Sequence, residues 1–417
     1  MKQIIDVVVF FLPEVEIVNG GVLSIYSLAA ETRHILGEDA RVYLSVSPHK
    51  KSYHKNVLFD NNEVIHEFND IIIGLESHKN ILLQIPEYMT TAICDALWDY
   101  KEILAVHDVR INILNQNIEL MPPPSDVGKL FTYSSAITQS TAHLKYTNQL
   151  VCNNYGIPLH HMSVCIDESA YITQPFSKKN NVILYSNDDS EHKSGIIEAL
   201  SRNFSNFKII EINNMKYEQY KEAISVAKYV VTFGEGMDGY LIESTYSNTV
   251  AFAVYNETFF PTKDFANLAN IFKSYEDMLQ GIVSAIKNTE KDARVYDTTC
   301  KKTRDLLLAY YSKTIYRRKV EKFYEFDNFI MPENKSIYTL LRQTALAYEH
   351  ANYSSLSKIA QLTERSAALQ ANYEERIKTL ADAVEISNQE ILSIQDSISW
   401  RLTRPLRALR TLINRRR

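Results

Sequence analysis

The sequence predicts an α/β chain of two domains, each on a mostly parallel sheet, followed by a helical extension. Three observations carry this. Residues 4–11 (IIDVVVFF) form a continuous apolar, β-branched and aromatic run, the pattern of a strand buried on both faces of a parallel sheet. Strand-like and helical segments then alternate, lapse near Ser163–Pro175, and alternate again from Asn181. The 417 residues also exceed what one compact core commonly supports. The expected divisions are 1–172, 173–330, a helical or coiled-coil extension over 331–398, and a basic amphipathic tail over 399–417.

In the first domain, Asn19-Gly20-Gly21 follows the opening strand and Val22–Leu36 has helical spacing. Such a strand–turn–helix unit presents the N–H groups of its helix to an anion, or is simply a tight turn. Strands are expected at Arg41–Val46, Asp70–Gly74 and Asn80–Ile85, and a helix near Thr90–Ile103. Pro122-Pro123-Pro124 reads as a rigid surface loop. Leu130–Tyr133, Ile137–Leu144 and Gln149–Cys152 read as strand, helix and strand.

The second domain opens with the strand VILYS, a helix over Glu191–Arg202, a strand over Phe207–Ile212 and a helix over Tyr217–Ala227. The apolar run Tyr229–Phe233 then breaks into Gly234-Glu235-Gly236, a short helical segment follows, and Val250–Tyr255 is the next strand. Lys273–Lys287 and Ala293–Phe326 are helical and dense in charge and tyrosine. After Pro332, residues Ile377, Leu380, Val384, Ile391, Ile394 and Ile398 fall on heptad positions, which suits either a coiled coil or a helix packed on the body.

Composition removes several classes. A hydrophobic fraction of 45% with 23% charged residues belongs to a globular protein, and no run of 18 apolar residues occurs. Residues 399–417 carry seven arginines and no acid, so the rest holds 38 of the 45 basic groups against all 50 acidic ones. A body of that sign is a poor nucleic-acid binder. In the tail, Arg401, Arg404, Arg407 and Arg410 alternate with leucines behind Trp400, the pattern of a helix lying at an anionic membrane surface or of a solvated basic tail. Cys94, Cys152, Cys165 and Cys300 show neither CxxC spacing nor pairing with histidine, so neither a disulfide framework nor a zinc site is expected. Those thiols and the lack of a cleavable leader fit a reducing cytoplasm.

The chemistry-bearing stretch is FGEGMDGYLIES, residues 233–244. Gly234, Gly236 and Gly239 formally spell the dinucleotide fingerprint G-x-G-x-x-G, which would make an NAD(P)-dependent oxidoreductase. A pyrophosphate there would face Glu235 and Asp238 in the same loop, and like charges repel at that range. Read instead as carboxylates, Glu235 and Glu243 suit vicinal hydroxyl pairs, to which a carboxylate accepts charge-assisted bonds.

This stretch resembles the E-x7-E motif of retaining, family-4 GT-B glycosyltransferases. The resemblance implies two Rossmann-like domains with a nucleotide-diphosphate sugar between them. It implies that Glu235 contacts the donor sugar and Glu243 the ribose, with Gly234, Gly236, Met237, Asp238 and Gly239 lining the donor. Asp238-Gly239 replaces the usual Gly-Leu, and Ser244-Thr245 the usual small residues. Asn19, Gly20 and Gly21 match the glycine loop beside the donor phosphates, and Lys193 the lysine that clamps them; Ser186-Asn187-Asp188 stands where the family has an arginine. Gln84–Tyr88 and the tail are similar to bacterial O-antigen, lipopolysaccharide and rhamnosyltransferase-like enzymes, and His107 follows the apolar segment ILAV (residues 103–106), where the resemblance to GT-B enzymes implies an acceptor-side histidine; Glu87 and His107 are thus the acceptor-side candidates. The expected catalytic residues are Glu235, Lys193 and His107, with no cofactor and no metal, since no D-x-D occurs. The implied enzyme moves a hexosyl or deoxyhexosyl unit to a lipid-linked glycan at the inner face of the cell membrane, with a homo-oligomer through the coiled coil. The rival to an enzyme is a non-catalytic assembly scaffold built on that coiled coil.

Overall fold

A computed structural model describes residues 4–48, 50, 53–76, 78–134, 136–333 and 335–396, together with 402, 403, 405 and 407. The first domain holds seven parallel strands: β1 (Val7–Leu12), β2 (Arg41–Val46), β3 (Ile65–His66), β4 (Asn80–Pro86), β5 (Asp108–Asn115), β6 (Ala136–Thr141) and β7 (Leu159–His161). Their order is β3-β2-β1-β4-β5-β6-β7. The second domain has β8 (Asn180–Ser186), β9 (Lys208–Ile212), β10 (Ala227–Val231), β11 (Val250–Val254) and β12 (Ile271–Phe272), also parallel, in the order β12-β11-β10-β8-β9. The chain thus has the expected architecture, two Rossmann-like domains and a C-terminal helix. Strand order reverses between β1 and β4 in the first sheet and between β8 and β10 in the second. At such switch points adjacent loops diverge to opposite faces and leave a crevice.

The helices of the first domain are α1 (Gly20–Leu36), α2 (Phe68–Ile73), α3 (Thr90–Ala96), α4 (Lys101–Leu104), α5 (Pro124–Lys129) and α6 (Gln149–Tyr155). Those that follow are α7 (Lys193–Asn203), α8 (Tyr217–Val226), α9 (Gly239–Tyr246), α10 (Tyr275–Glu290), α11 (Ala293–Tyr311), α12 (Lys313–Tyr324) and α13 (Lys335–Asp396). β1 is buried along its whole length, as its composition requires. On one face of the first sheet, Phe10, Leu12 and Leu82 meet Ile25 and Ala29 of α1.

Several local expectations differ from the structure. Asp70–Gly74 belongs to helix α2, Leu130–Thr132 is a single 3-10 turn, Ile137–Leu144 opens as strand β6, and Gln149–Cys152 is the start of helix α6. Pro124 starts helix α5 at its first turn, where a missing N–H costs nothing. Strand β5, DVRINILN, carries polar residues inside the sheet and gave no apolar run. Some of those groups pair with one another: Asn112 Nδ2 donates to Gln84 Oε1 at 2.7 Å and to Ser140 Oγ at 2.9 Å, whereas Asn115 and Arg110 Nη1 are buried without a partner. A polar ladder across β4, β5 and β6 therefore erased the pattern that identifies strands.

The boundary expected at residue 330 also moves. Helix α12 returns to the first domain, where Tyr316, Val320, Phe323 and Tyr324 join its core and Tyr324 Oη lies 2.8 Å from Thr32 Oγ1. Ile330 pairs with Leu159 of β7, and a Cβ at Gly156 would lie 2.5 Å from Ile337. The second domain is thus enclosed by the first in sequence.

From Ala347 onward the chain forms a separate unit. Its helix exposes the heptad side chains, Ile377 at 65%, Leu380 at 65% and Val384 at 59%. The side chain of Ile394, the residue Ile398 and most of the basic tail lie outside the described residues. No helix among the described residues is long and apolar enough to cross a membrane.

Candidate active site

Every loop that follows a strand near a switch point brings polar groups to one cleft. After β1, Asn19 caps α1 by accepting from Val22 N at 2.9 Å, and Leu23 N makes the first intrahelical bond. The amides of Gly20 and Gly21 precede that pattern and are open to an anion. Around Gly20 a Cβ would meet nothing within 4 Å, whereas at Gly21 it would lie 2.8 Å from Gln116 Oε1.

After β4 comes Glu87, 2% exposed, whose Oε1 accepts from Asn117 N at 3.0 Å while Oε2 is buried without a partner. Burial pushes this carboxyl up to about 7. Asn117, in the loop after β5, turns its Nδ2 toward Glu235 Oε1 at 3.4 Å. Glu235 stands after β10 in the other domain, so a chain of contacts Glu87–Asn117–Glu235 joins the two switch points. Loss of solvent and the nearby Asp238, Glu119 and Asp188 raise Glu235 to about 7.

Further along, the loop after β6 sets the His143 ring 5.3 Å from that of Phe259, in the loop after β11. Desolvation lowers His143 to about 4, so it is neutral at physiological pH. Lys145 approaches Glu257 across the same divide at 3.9 Å. No motif in the sequence marks Asn117 or His143. Their only signal is position after strands β5 and β6, one missed and the other read as helix.

The Gly234–Gly239 loop divides into working and structural parts. Gly236 has φ of +81°, and a Cβ there would lie 2.3 Å from Val254 O, so glycine is obligatory. Met237 is in the core. Asp238 is the N-cap of α9, accepting from Leu241 N at 3.0 Å and from the Thr232 hydroxyl. Half-buried and with both oxygens engaged, Asp238 is a cap and has no free carboxylate oxygen for the donor, which corrects the expectation for it and for Met237. Gly234 lies close to Asp188, where a Cβ would meet Oδ2 at 3.0 Å.

Glu243 sits one turn into α9, 6% exposed, beneath Gly239. Its Oε1 accepts from Tyr217 Oη at 3.0 Å, and Tyr217 Oη lies 2.8 Å from Tyr171 Oη. Desolvation raises Glu243 to about 7, against the lowering effect of the tyrosine hydroxyls. The hydroxyls this carboxyl meets are thus the protein's own.

Lys193 begins α7 near the end of β8. Its Nζ donates to Asp188 O at 2.9 Å, pairs with Glu211 at 3.4 Å and lies over the Tyr185 and Phe233 rings. His107 is elsewhere. It precedes β5, at the opposite end of the sheet from Glu87, and its Nδ1 accepts from Lys79 N at 3.3 Å. ILAV is the end of helix α4 and not a strand, so the residue after it lands on the wrong edge. His107 is not part of the site. Among the described residues no group of three or more metal-ligating side chains occurs.

No protein-family model matches the chain, and no curated protein matches it. Solved structures similar to it include a glycosyltransferase from Rickettsia africae (11% identity, 80% of this chain and 99% of that one, TM-score 0.44). A sucrose-phosphate synthase from Thermosynechococcus elongatus is similar at 9% identity, over 76% and 98%, with a TM-score of 0.48. A UDP-GlcNAc 2-epimerase from Neisseria meningitidis, bound to UDP-GlcNAc, is similar at 10% identity, over 73% and 99%, with a TM-score of 0.42.

Proposed function

We propose that the chain is a glycosyltransferase that moves a hexosyl or deoxyhexosyl unit from a nucleotide-diphosphate sugar to a glycan acceptor. The observation that supports this best is the run Glu87–Asn117–Glu235, in which one asparagine donates its backbone N–H to a carboxyl of its own domain and its side-chain Nδ2 to a carboxyl of the other, at facing switch points. Glu235 accepts bonds from donor-sugar hydroxyls. The Gly20 and Gly21 amides, at the positive end of α1, hold the leaving phosphates and stabilise the charge that develops on them. Lys193 joins them by exchanging its bond to Glu211. The acceptor approaches from the Glu87 side. Retention of configuration follows the family resemblance: the acceptor attacks on the face the leaving phosphate departs from, and the phosphate takes its proton.

The acid-lined loop disfavours an NAD(P) oxidoreductase, because Glu235 and Asp188 flank Gly234 where a pyrophosphate would lie. The basic tail would hold the enzyme at an anionic membrane bearing lipid-linked acceptor, and the exposed heptads of α13 would pair with a second copy. The test is a panel of UDP-, GDP- and dTDP-sugars and NADH, read by thermal shift and then by mass spectrometry of glycoside products. One nucleotide sugar should stabilise the protein and be consumed; stabilisation by NADH alone would refute the proposal. Flotation of the full chain and of residues 1–398 with anionic liposomes checks the tail, which fails if both bind equally.

A further inference from the structure

A second cavity, of about 500 Å³, lies in the first domain at the end of the sheet away from the cleft. Its floor is one row of the sheet, Leu82, Arg110 and Ala136, which stand side by side on β4, β5 and β6. Its walls are Phe131, Phe323, Phe326, Phe329, Met331 and Tyr338. Phe326 and Phe329 stack at 4.4 Å between centroids, and the turn that carries them holds Phe326 at φ +53° and Asn328 at φ +63°. Two non-glycine residues in the left-handed region cost energy that the surrounding packing must offset.

Two charged groups line this aromatic box, Arg110 and Asp108. Arg110 Nη2 bonds Asp108 at 3.2 Å, but its Nη1 is buried without a partner. A buried guanidinium N–H with no acceptor is costly, and a ligand oxygen placed there would relieve that cost. Arg342 does not line the cavity but lies 5.3 Å over the Phe131 ring and 5.5 Å over that of Tyr338, two of its walls. With Asp108 engaged at Nη2, Arg110 has Nη1 left for one further oxygen, while Asp108 penalises a doubly charged head. The chain's own arginine-rich tail has the wrong sign to fill it.

We propose that this cavity binds a small amphiphilic monocarboxylate, its alkyl or aryl body between the phenylalanines and its carboxylate on Arg110 Nη1. Its volume is that of an ordinary small-molecule site. The site is distinct from the cleft, and binding there does not depend on the transferase reading.

Calorimetric titration of the full chain with decanoate, decanol and decyl phosphate tests it, alongside Arg110→Met and Ala136→Phe. The first variant removes the donor, and the second fills the cavity from the exposed end of its floor with Arg110 intact. Decanoate should bind one per chain and more tightly than the other two. Each variant, with an unchanged melting temperature, should weaken decanoate by about tenfold or more, the scale of a lost charge-assisted bond or blocked cavity. No saturable decanoate binding, equal binding by both variants and the parent, or tighter binding of decanol or decyl phosphate would overturn the proposal. A variant with a lowered melting temperature is replaced by Arg110→Lys, which should bind decanoate more weakly than the parent, and equal affinity would count against the site.

Discussion

Glu235 and Glu243 belong to one motif and are both raised to about 7, yet their surroundings differ. Glu235 is partly exposed at the cleft, one amide away from the other domain. Glu243 is enclosed under tyrosines, with a hydroxyl already on its carboxylate. The same rise has desolvation as its first cause at both, but only one carboxyl is placed to meet a substrate without displacing protein. A perturbed acid marks burial first; position relative to the strand ends decides whether it is a reagent.

The largest effect should come from Glu235→Gln, which keeps shape and removes charge. Initial rates of transfer should fall by about 10²–10³ (~3–4 kcal/mol in the transition state), with the melting temperature unchanged or raised. Rates near those of the parent would show that the cleft works without this carboxylate. In the parent, kcat/KM should rise with pH through about 7 as Glu235 ionises, and the variant should lose that rise.

Glu243→Gln should instead act on stability. Its folded value, about 7, lies above the unfolded 4.5, so the folded state holds the proton more tightly. That contribution is complete below pH 4.5, and it is lost as pH rises toward and through 7. Replacing the carboxyl with a neutral amide should therefore raise stability by ~2–3 kcal/mol at pH 8 and leave it nearly unchanged at pH 4.5. Denaturant melts at the two pH values measure this, and equal shifts at both would exclude titration as the cause.

Two smaller effects sharpen the division within the loop. Asp238→Ala should lose ~1–2 kcal/mol of stability through the cap of α9, while Asp238→Asn should retain most of it. Asn117→Ala should reduce kcat/KM by about tenfold, the worth of one hydrogen bond, without lowering the melting temperature. If Asn117→Ala is silent in rate, the contact between domains is incidental.

The sequence showed the second domain well because its strands are apolar runs, as in VILYS and YVVTF, and its turns carry glycine. The first domain was legible at β1, α1, β2, β4 and the helical stretch 90–103, and then lost. AITQST and DVRINILN place side chains in a hydrogen-bonded ladder that no hydropathy period reveals. With those strand ends hidden, nothing in the sequence marks Asn117 and His143, and the apolar pattern points instead to His107 at the opposite edge. Glu235 and Glu243 were readable from residue type and spacing, whereas the tyrosines that enclose Glu243 come from residues 171 and 217, far away in sequence.

The return of α12 to the first domain makes the second a guest between two crossings, one in residues 162–179 and one at the junction of α11 with α12. A chain tethered at both ends can swing like a door on a pair of pins, yet it cannot drift away when one pin is cut. Proteolysis at either crossing should leave both halves associated, since Thr32 still meets Tyr324. A fragment ending at residue 311 would lack part of the first domain's own core.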